Sequence, residues 1–559
     1  MPRQGRVSNA DGYPQGERDL RQDNATPPKL TLTRPGPSRV LGRYLPLLVV
    51  LAVLVTLVET APVVRSTGSL AHSGSSMATP AGITPPAPPG TPGKTVAGYR
   101  CGPGIRQVPW SKYAPICEPA WHGNNGGATA PGVTATTITV TYREAESAEE
   151  KALLSFVGQS TVGTNREAIE TMEAYIHLFN HTFELYGRHV VLKPFKGKGD
   201  FLEEDQGKDI AAAQADAATA KKLGAFADIS LLASTEPYDE ALAHEGVIAI
   251  GAPFMSQSWF ERYAPYEYTT SPTCNETAEA AAMLIGHMMA GMKAIYAGSA
   301  SLRSKRRVFG LLYPDNPQYV ACGKQFLKEL DQVAHVTPAR VIAYSFDIAD
   351  LEQEATNAIS QFKAAGVTTV LCACDPVTPI FLTAAANQQH YYPEWFTTDW
   401  GDGFARLPAQ NQWAHAMTGG IANRPLRDQE AYKAFFMGAP KGAKPIPTFP
   451  SVYEPLLLFF DALQAAGPYL TPETFEKGMD SLPPSLPGGM FGSWIFGKNK
   501  FSPTADTQIL WWNPKALVRH NHSVNKGEWQ ACNNGALYGV AKGDSPLPSH
   551  EQLQCFGRR

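Results

Sequence analysis

Charge is scarce in this 559-residue sequence, and catalytic signatures are scarcer. Asp, Glu, Lys and Arg together make up 18% of the residues, and the formal net charge is −3. That is too near neutral for a protein built to coat nucleic acid. There is no G-x-S-x-G nucleophile elbow, no H-E-x-x-H metal helix and no phosphate-cradling GK[ST] after a strand. Gly401-Asp402-Gly403 lacks the third glycine of a dinucleotide fingerprint, and His244-Glu245 ends without a second histidine. The 13 histidines are scattered, and no neighbouring His or Cys completes a zinc set around Cys372-Ala373-Cys374. These absences argue against an enzyme, a cofactor and a structural metal.

Apolar residues are not lacking. A hydrophobic fraction of 43% and an aromatic fraction of 10% exclude a mostly disordered or collagen-like chain. At ~150 residues per domain, the length alone suggests between three and four domain-sized units. The net charge averages two unlike parts. Residues 1–43 hold eight Lys/Arg against four Asp/Glu, a net of +4, which leaves −7 for the rest.

After that basic arm, which reads as disordered and cytosolic, the only long apolar run is Tyr44–Val58, followed by Glu59 and a short apolar patch to residue 64. A spanning helix needs ~20 apolar residues and a signal-peptide core ~7–15. The segment 44–64 is therefore expected to be a signal peptide, an anchor or a transmembrane segment. The arginines before it place the following chain outside the cytoplasm, tethered or secreted after cleavage. Residues 65–98 are rich in Pro, Gly and Ser and read as a linker, with order beginning near Tyr99. An exported chain with eight cysteines is expected to form disulfides. Cys101 with Cys117, and Cys532 with Cys555, read as local staples. Cys274, Cys322, Cys372 and Cys374 leave three connectivities. Cys372 and Cys374 lie two apart on a strand-like run and face the same way, which disfavours a bond between them.

From Thr136 the chain alternates β-branched runs with Ala-rich helical stretches. The series runs through Thr136–Tyr142, Asn165–Thr182, His189–Phe195, Asp209–Leu223, Ala227–Leu232, Glu236–His244 and Val247–Ala252. It then restarts at Thr277–Ala297 and Arg307–Tyr313 and continues to the strand Glu394–Thr398. The helices Ser451–Ala466 and Pro472–Leu482 and a strand at Thr507–Asn513 follow. Two consecutive α/β units imply parallel sheets with helices on both faces, and two lobes whose strand carboxyl ends line one cleft.

The ordered set of segments carries a likeness. Pro131–Val140, Tyr186–Val191, Ala233-Ser-Thr-Glu-Pro237, Glu245–Ile250, Thr270–Glu276, Tyr453–Leu458 and Phe501–Trp512 resemble, in order, landmarks of the leucine/isoleucine/valine-type periplasmic binding proteins, especially actinobacterial ones. The resemblance implies an α/β, two-lobed type I fold, each lobe a mostly parallel sheet flanked by helices, with three crossovers at the hinge. It implies residues 131–270 and 421–498 in lobe 1, 271–420 and 499–520 in lobe 2, a stapled lead-in at 99–130 and a C-terminal tail at 521–559. It further implies a monomer that captures a small polar, amino-acid-like or amide-like solute by hinge closure and delivers it to an ABC permease. The alternatives are a membrane-tethered sensor without a permease and a secreted α/β enzyme.

Ser234 and Thr235 follow a strand at its carboxyl end. The resemblance makes their hydroxyls and N–H groups carboxylate ligands, while an ordinary helix N-cap is the competing reading. Ser256 and Ser258 follow the next strand, with Asn275 at the crossover. Asp375 and Asp399 end strands of the second unit, with Trp400 beside them. Asp375-Pro376 stands where the family places a tyrosine, and Asp399 comes one residue before the expected acid. Pro376 also suits the first turn of a helix that Asp375 would cap.

Overall fold

The computed structural model describes residues 82–145, 163–230, 233–251, 254–398, 401–422, 426–520, 523–540 and 553–555. The basic arm and the apolar segment 44–64 lie outside them. Among the described residues no helix is long and apolar enough to cross a membrane.

Two sheets repeat one strand order. The first comprises β1 (Thr137–Glu144), β2 (His189–Lys196), β3 (Ala227–Asp228), β4 (Ile248–Ile250) and β5 (Glu267–Tyr268). All are parallel, in the order β2-β1-β3-β4-β5. The second begins with β6 (Phe309–Pro314), β7 (Arg340–Tyr344), β8 (Thr369–Cys372), β9 (Glu394–Thr397) and β10 (Ala416–Gly420), parallel in the order β7-β6-β8-β9-β10. Two antiparallel strands extend it, β11 (Asp506–His520) and β12 (Ser523–Ala531).

Helices cover these sheets because their apolar residues recur at helical spacing. In α1 (Asn165–Asn180), Ala168, Met172, Tyr175, Ile176 and Phe179 are buried, and a capping box between Thr164 and Glu167 starts the helix. The short α2 (Phe201–Asp205) and then α3 (Ile210–Lys222) follow β2. Next come α4 (Glu236–Glu245), stopped by Gly246 at φ 75°, and α5 (Gln257–Tyr263). The second unit carries α6 (Cys274–Met288), α7 (Pro317–Gln332), α8 (Leu351–Ala364) and α9 (Thr378–Gln388). The chain then returns through α10 (Glu430–Gly438), α11 (Phe449–Ala466) and α12 (Pro472–Ser481). Every residue of α11 from Pro455 to Gln464 is buried, as expected of a helix apolar on all sides. It joins the same core as α1 and the first sheet, so the first lobe is built from two separate stretches of sequence.

Three chain crossings join the lobes. The segment after β5 is tied to the one before β11: Thr269 N–H donates to the Phe501 carbonyl at 3.0 Å and the Thr504 hydroxyl to the Thr270 carbonyl at 2.9 Å. The third crossing leaves β10 towards α10.

Order begins by Gly82, ahead of Tyr99. The Thr84 N–H donates to the Asn124 carbonyl at 2.9 Å and the Gly90 N–H to that of Cys117 at 2.7 Å. Composition alone misses this, because such Pro/Gly-rich chain gains its order from partners elsewhere.

All eight cysteines are paired, including Cys101–Cys117 and Cys532–Cys555. The middle four form Cys274–Cys322 and Cys372–Cys374. The second bond corrects the expectation drawn from a continuous strand. The strand stops at Cys372, and the turn beyond it brings the two Cα atoms to 5.0 Å, within disulfide reach.

Candidate functional site

The carboxyl ends of β1 and β3 are held by one buried cation. Arg143, near the end of β1, is fully buried. Its Nε donates to Asp216 at 2.9 Å, its Nη1 to Glu204 at 2.9 Å and to the Ala233 carbonyl at 3.2 Å, and its Nη2 to the other Glu204 oxygen. The guanidinium also lies 4.3 Å above the Tyr238 ring. Burial works against its charge, but the bond and field of Glu204 outweigh it and hold the pKa above the ordinary value.

This network receives the Ser234-Thr235 loop. The Thr235 hydroxyl donates to Glu204 at 2.5 Å and the Ser234 hydroxyl to Asp239 at 2.5 Å. Thr235 occupies the N-cap of α4, yet its side chain makes no capping bond and turns instead to Glu204. Thus carboxylates of the protein itself take the hydroxyl donors of this loop.

Across the cleft stand the loops after β6, β7 and β8. Tyr319, in the first turn of α7, donates its hydroxyl to Asp205. Lys208 pairs with Asp347 at 2.9 Å. These contacts join the α2 region of the first lobe to the second lobe. Burial raises the Asp205 carboxyl to about 7, with the Tyr319 hydrogen bond opposing the rise and the charge of Asp375 adding to it. Glu236, at the start of α4, is raised to about 7 by burial and then by Glu240 and Asp205. The cleft is therefore lined by carboxyl groups that give up their protons reluctantly.

Asp375 is buried and engaged on every side. It accepts the N–H groups of Val377 and Thr378, each at 2.8 Å, and the hydroxyls of Tyr344 and Thr378. Burial raises its pKa against those bonds. Ser256 caps α5, accepting the Trp259 N–H at 3.3 Å, and also bonds Ser258 at 3.1 Å. The Asn275 side chain accepts the Gln257 N–H at 2.9 Å, tying α6 to α5. Asp399 and Trp400 lie outside the described residues. The structure thus gathers Ser234, Thr235 and α2 around Arg143, and sets Asp375 across the cleft. Ser256 and Asn275 belong to the crossing between lobes.

Sequence reasoning missed Arg143, Glu204, Asp205 and Tyr319. Arg143 carried a faint signal, a lone cation closing the apolar strand run Thr136–Tyr142. Among the described residues no group of His, Cys, Asp and Glu could hold a metal ion.

The sequence profile of the periplasmic binding protein family matches residues 158–516, and the chain belongs to that family. Its two-lobed α/β architecture is the type I fold. The leucine-, isoleucine-, valine-, threonine- and alanine-binding protein from Brucella ovis, in its closed conformation, is similar at 12% identity, covering 76% of this chain and 99% of that one, with a TM-score of 0.50. The fatty acid ABC transporter substrate-binding protein from Thermomonospora curvata aligns at 14% identity, over 75% and 98% of the two chains, with a TM-score of 0.48. An ABC transporter substrate-binding protein from Desulfitobacterium hafniense, in complex with Leu, aligns at 16% identity, over 71% and 99%, with a TM-score of 0.43. At these identities the likeness is one of fold. No curated protein sequence matches the chain. Members of the family are binding proteins rather than enzymes, and they work outside the cytoplasm.

Proposed function

We propose that this chain captures a small polar solute between its lobes by hinge closure and hands it to an ABC importer, without catalysing a reaction. The observation that carries the reading is the contact of the two lobes across facing strand ends, through Asp205 with Tyr319 and Lys208 with Asp347. A solute bound there completes its contacts only when the lobes close, so it shifts the lobe equilibrium by its differential affinity for the closed state. In this reading the solute is touched by the loops carrying Ser234, Thr235, Ser256, Asn275, Asp375, Asp399 and Trp400. Backbone groups contribute much of it, since the hydroxyls of Ser234 and Thr235 are already bonded to Asp239 and Glu204. Amino acids and fatty acids are named for the relatives, and amino acids and amides head the list to test here.

The experiment is a thermal-shift screen of such solutes against the full chain. A solute at 100 times its dissociation constant adds ~2.7 kcal/mol to the folded state. The rise should vanish when Ser234, Thr235 and Asp375 are replaced together by alanine in a chain that still melts cooperatively. A full shift in that variant would remove these loops from the site, and no shift with any solute in the unaltered chain would sink the reading.

A further inference from the structure

An antiparallel ribbon extends the edge of the second sheet. β11 pairs with β10 only over Gln508–Trp511. Beyond that point β11 and β12 pair with each other alone; Trp512 and Trp529 still pack into the core of the second lobe, and residues 514–520 project roughly 20 Å at strand spacing. Two apolar side chains stand on this projection, Leu517 at 69% exposure and Val524 at 58%, higher than any other exposed large hydrophobic among the described residues. Leu517 lies directly opposite Lys526, and Val524 is two residues from Lys526 on the same strand, so the three share one face.

Cations surround that face. Among the described residues neither Lys515 nor Lys526 takes part in an ion pair. Both border a recess of about 460 Å³ at the base of the ribbon, together with Arg406, Gln410, Asn411 and Pro514. Arg406 donates from Nη2 to the Gly527 carbonyl at 3.0 Å, while its buried Nε meets no acceptor among the described residues. Acidic groups lie at the base rather than the tip: Asp402 is 3.7 Å from Arg406, and Glu528 is bonded by Gln530.

We propose that this ribbon docks on a membrane surface bearing anionic lipids, Leu517 and Val524 entering the interface while Lys515 and Lys526 meet phosphate headgroups. Exposed apolar side chains ringed by cations match such a surface in both polarity and charge. The apolar run Tyr44–Val58 gives the same chain a sequence-level reason to be near a membrane.

The test uses the full chain mixed with vesicles and reads only the vesicle-bound fraction, so the signal reports the ribbon rather than recruitment. An environment-sensitive fluorophore on Val524→Cys is read for quenching by brominated acyl chains. Quenching is expected with phosphatidylglycerol present and not with phosphatidylcholine alone. It should fall about fivefold for each of Lys515→Gln and Lys526→Gln, with melting temperature unchanged because both lysines are exposed. Equal quenching on the two membranes, none on either, or insensitivity to the lysine substitutions would each overturn the proposal.

Discussion

Tyr319 of the second lobe donates its hydroxyl to Asp205 of the first, and this bond spans the cleft. A hydrogen bond contributes about 0.5–1.5 kcal/mol net. Tyr319→Phe keeps the ring and deletes the donor, so the lobe equilibrium should move about two- to tenfold towards the open form. Small-angle X-ray scattering would record a larger radius of gyration; an unchanged radius would show that the bond does not hold the lobes together.

The same contact should respond to pH. Asp205 is raised from 3.8 to about 7 in the closed arrangement, first by burial, and it faces Tyr319, Asp375 and Glu236. The closed form therefore holds a proton that an exposed Asp205 has lost. Its stabilisation is complete below the exposed value and disappears as pH rises through about 7. The radius of gyration is expected to grow on passing from mildly acidic to mildly alkaline solution, and Asp205→Asn should flatten the profile. An identical profile in that variant would assign the effect to Glu236 or another group.

Asp461 lies inside α11, fully buried, and neither carboxylate oxygen has a hydrogen-bond partner among the described residues. Burial, then Glu430, raises its pKa well above the usual range, with Arg106 opposing. Folding therefore disfavours the charged form of Asp461, a cost absent once the group is apolar. Asp461→Leu should raise the melting temperature at pH ~7 by more than it does at pH ~4, a gain of at least ~1 kcal/mol at the higher pH. A fall in melting temperature at both values would mean that the carboxyl has an acceptor or water to satisfy.

The disulfides differ in the chain they close. Cys274 and Cys322 are 48 residues apart, and chain entropy gives their bond about 4 kcal/mol, against about 1.5 kcal/mol for Cys372–Cys374, two residues apart. Replacing each pair by serine and measuring denaturant unfolding should reproduce that order. The reverse order would indicate that native packing, not loop closure, dominates.

Much of the fold was legible because each long parallel strand is a short apolar run bounded by turns, and each helix repeats an apolar face. Strand β5 escaped notice because Glu267-Tyr268 is no apolar run, and β12 because Lys526, Gly527 and Glu528 interrupt its alternation. The Ser234-Thr235 loop could be found from its place after a strand. Its bonding could not, since Glu204 lies 31 residues from Thr235 and 61 from Arg143. Local pattern carries no information about which distant carboxylate reaches a hydroxyl.

The Cys274–Cys322 bond has a mechanical consequence. Cys274 opens α6 directly after the first crossing, and Cys322 sits one turn beyond Tyr319 on α7. The covalent link thus fuses the exit of the hinge and the helix that reaches Asp205 into one lever arm. Rotation at the crossing is delivered to Tyr319 without slack between the two helices. An oxidising compartment would then act as a stiffener of the stroke, and a reductant would turn the same swing into lost motion.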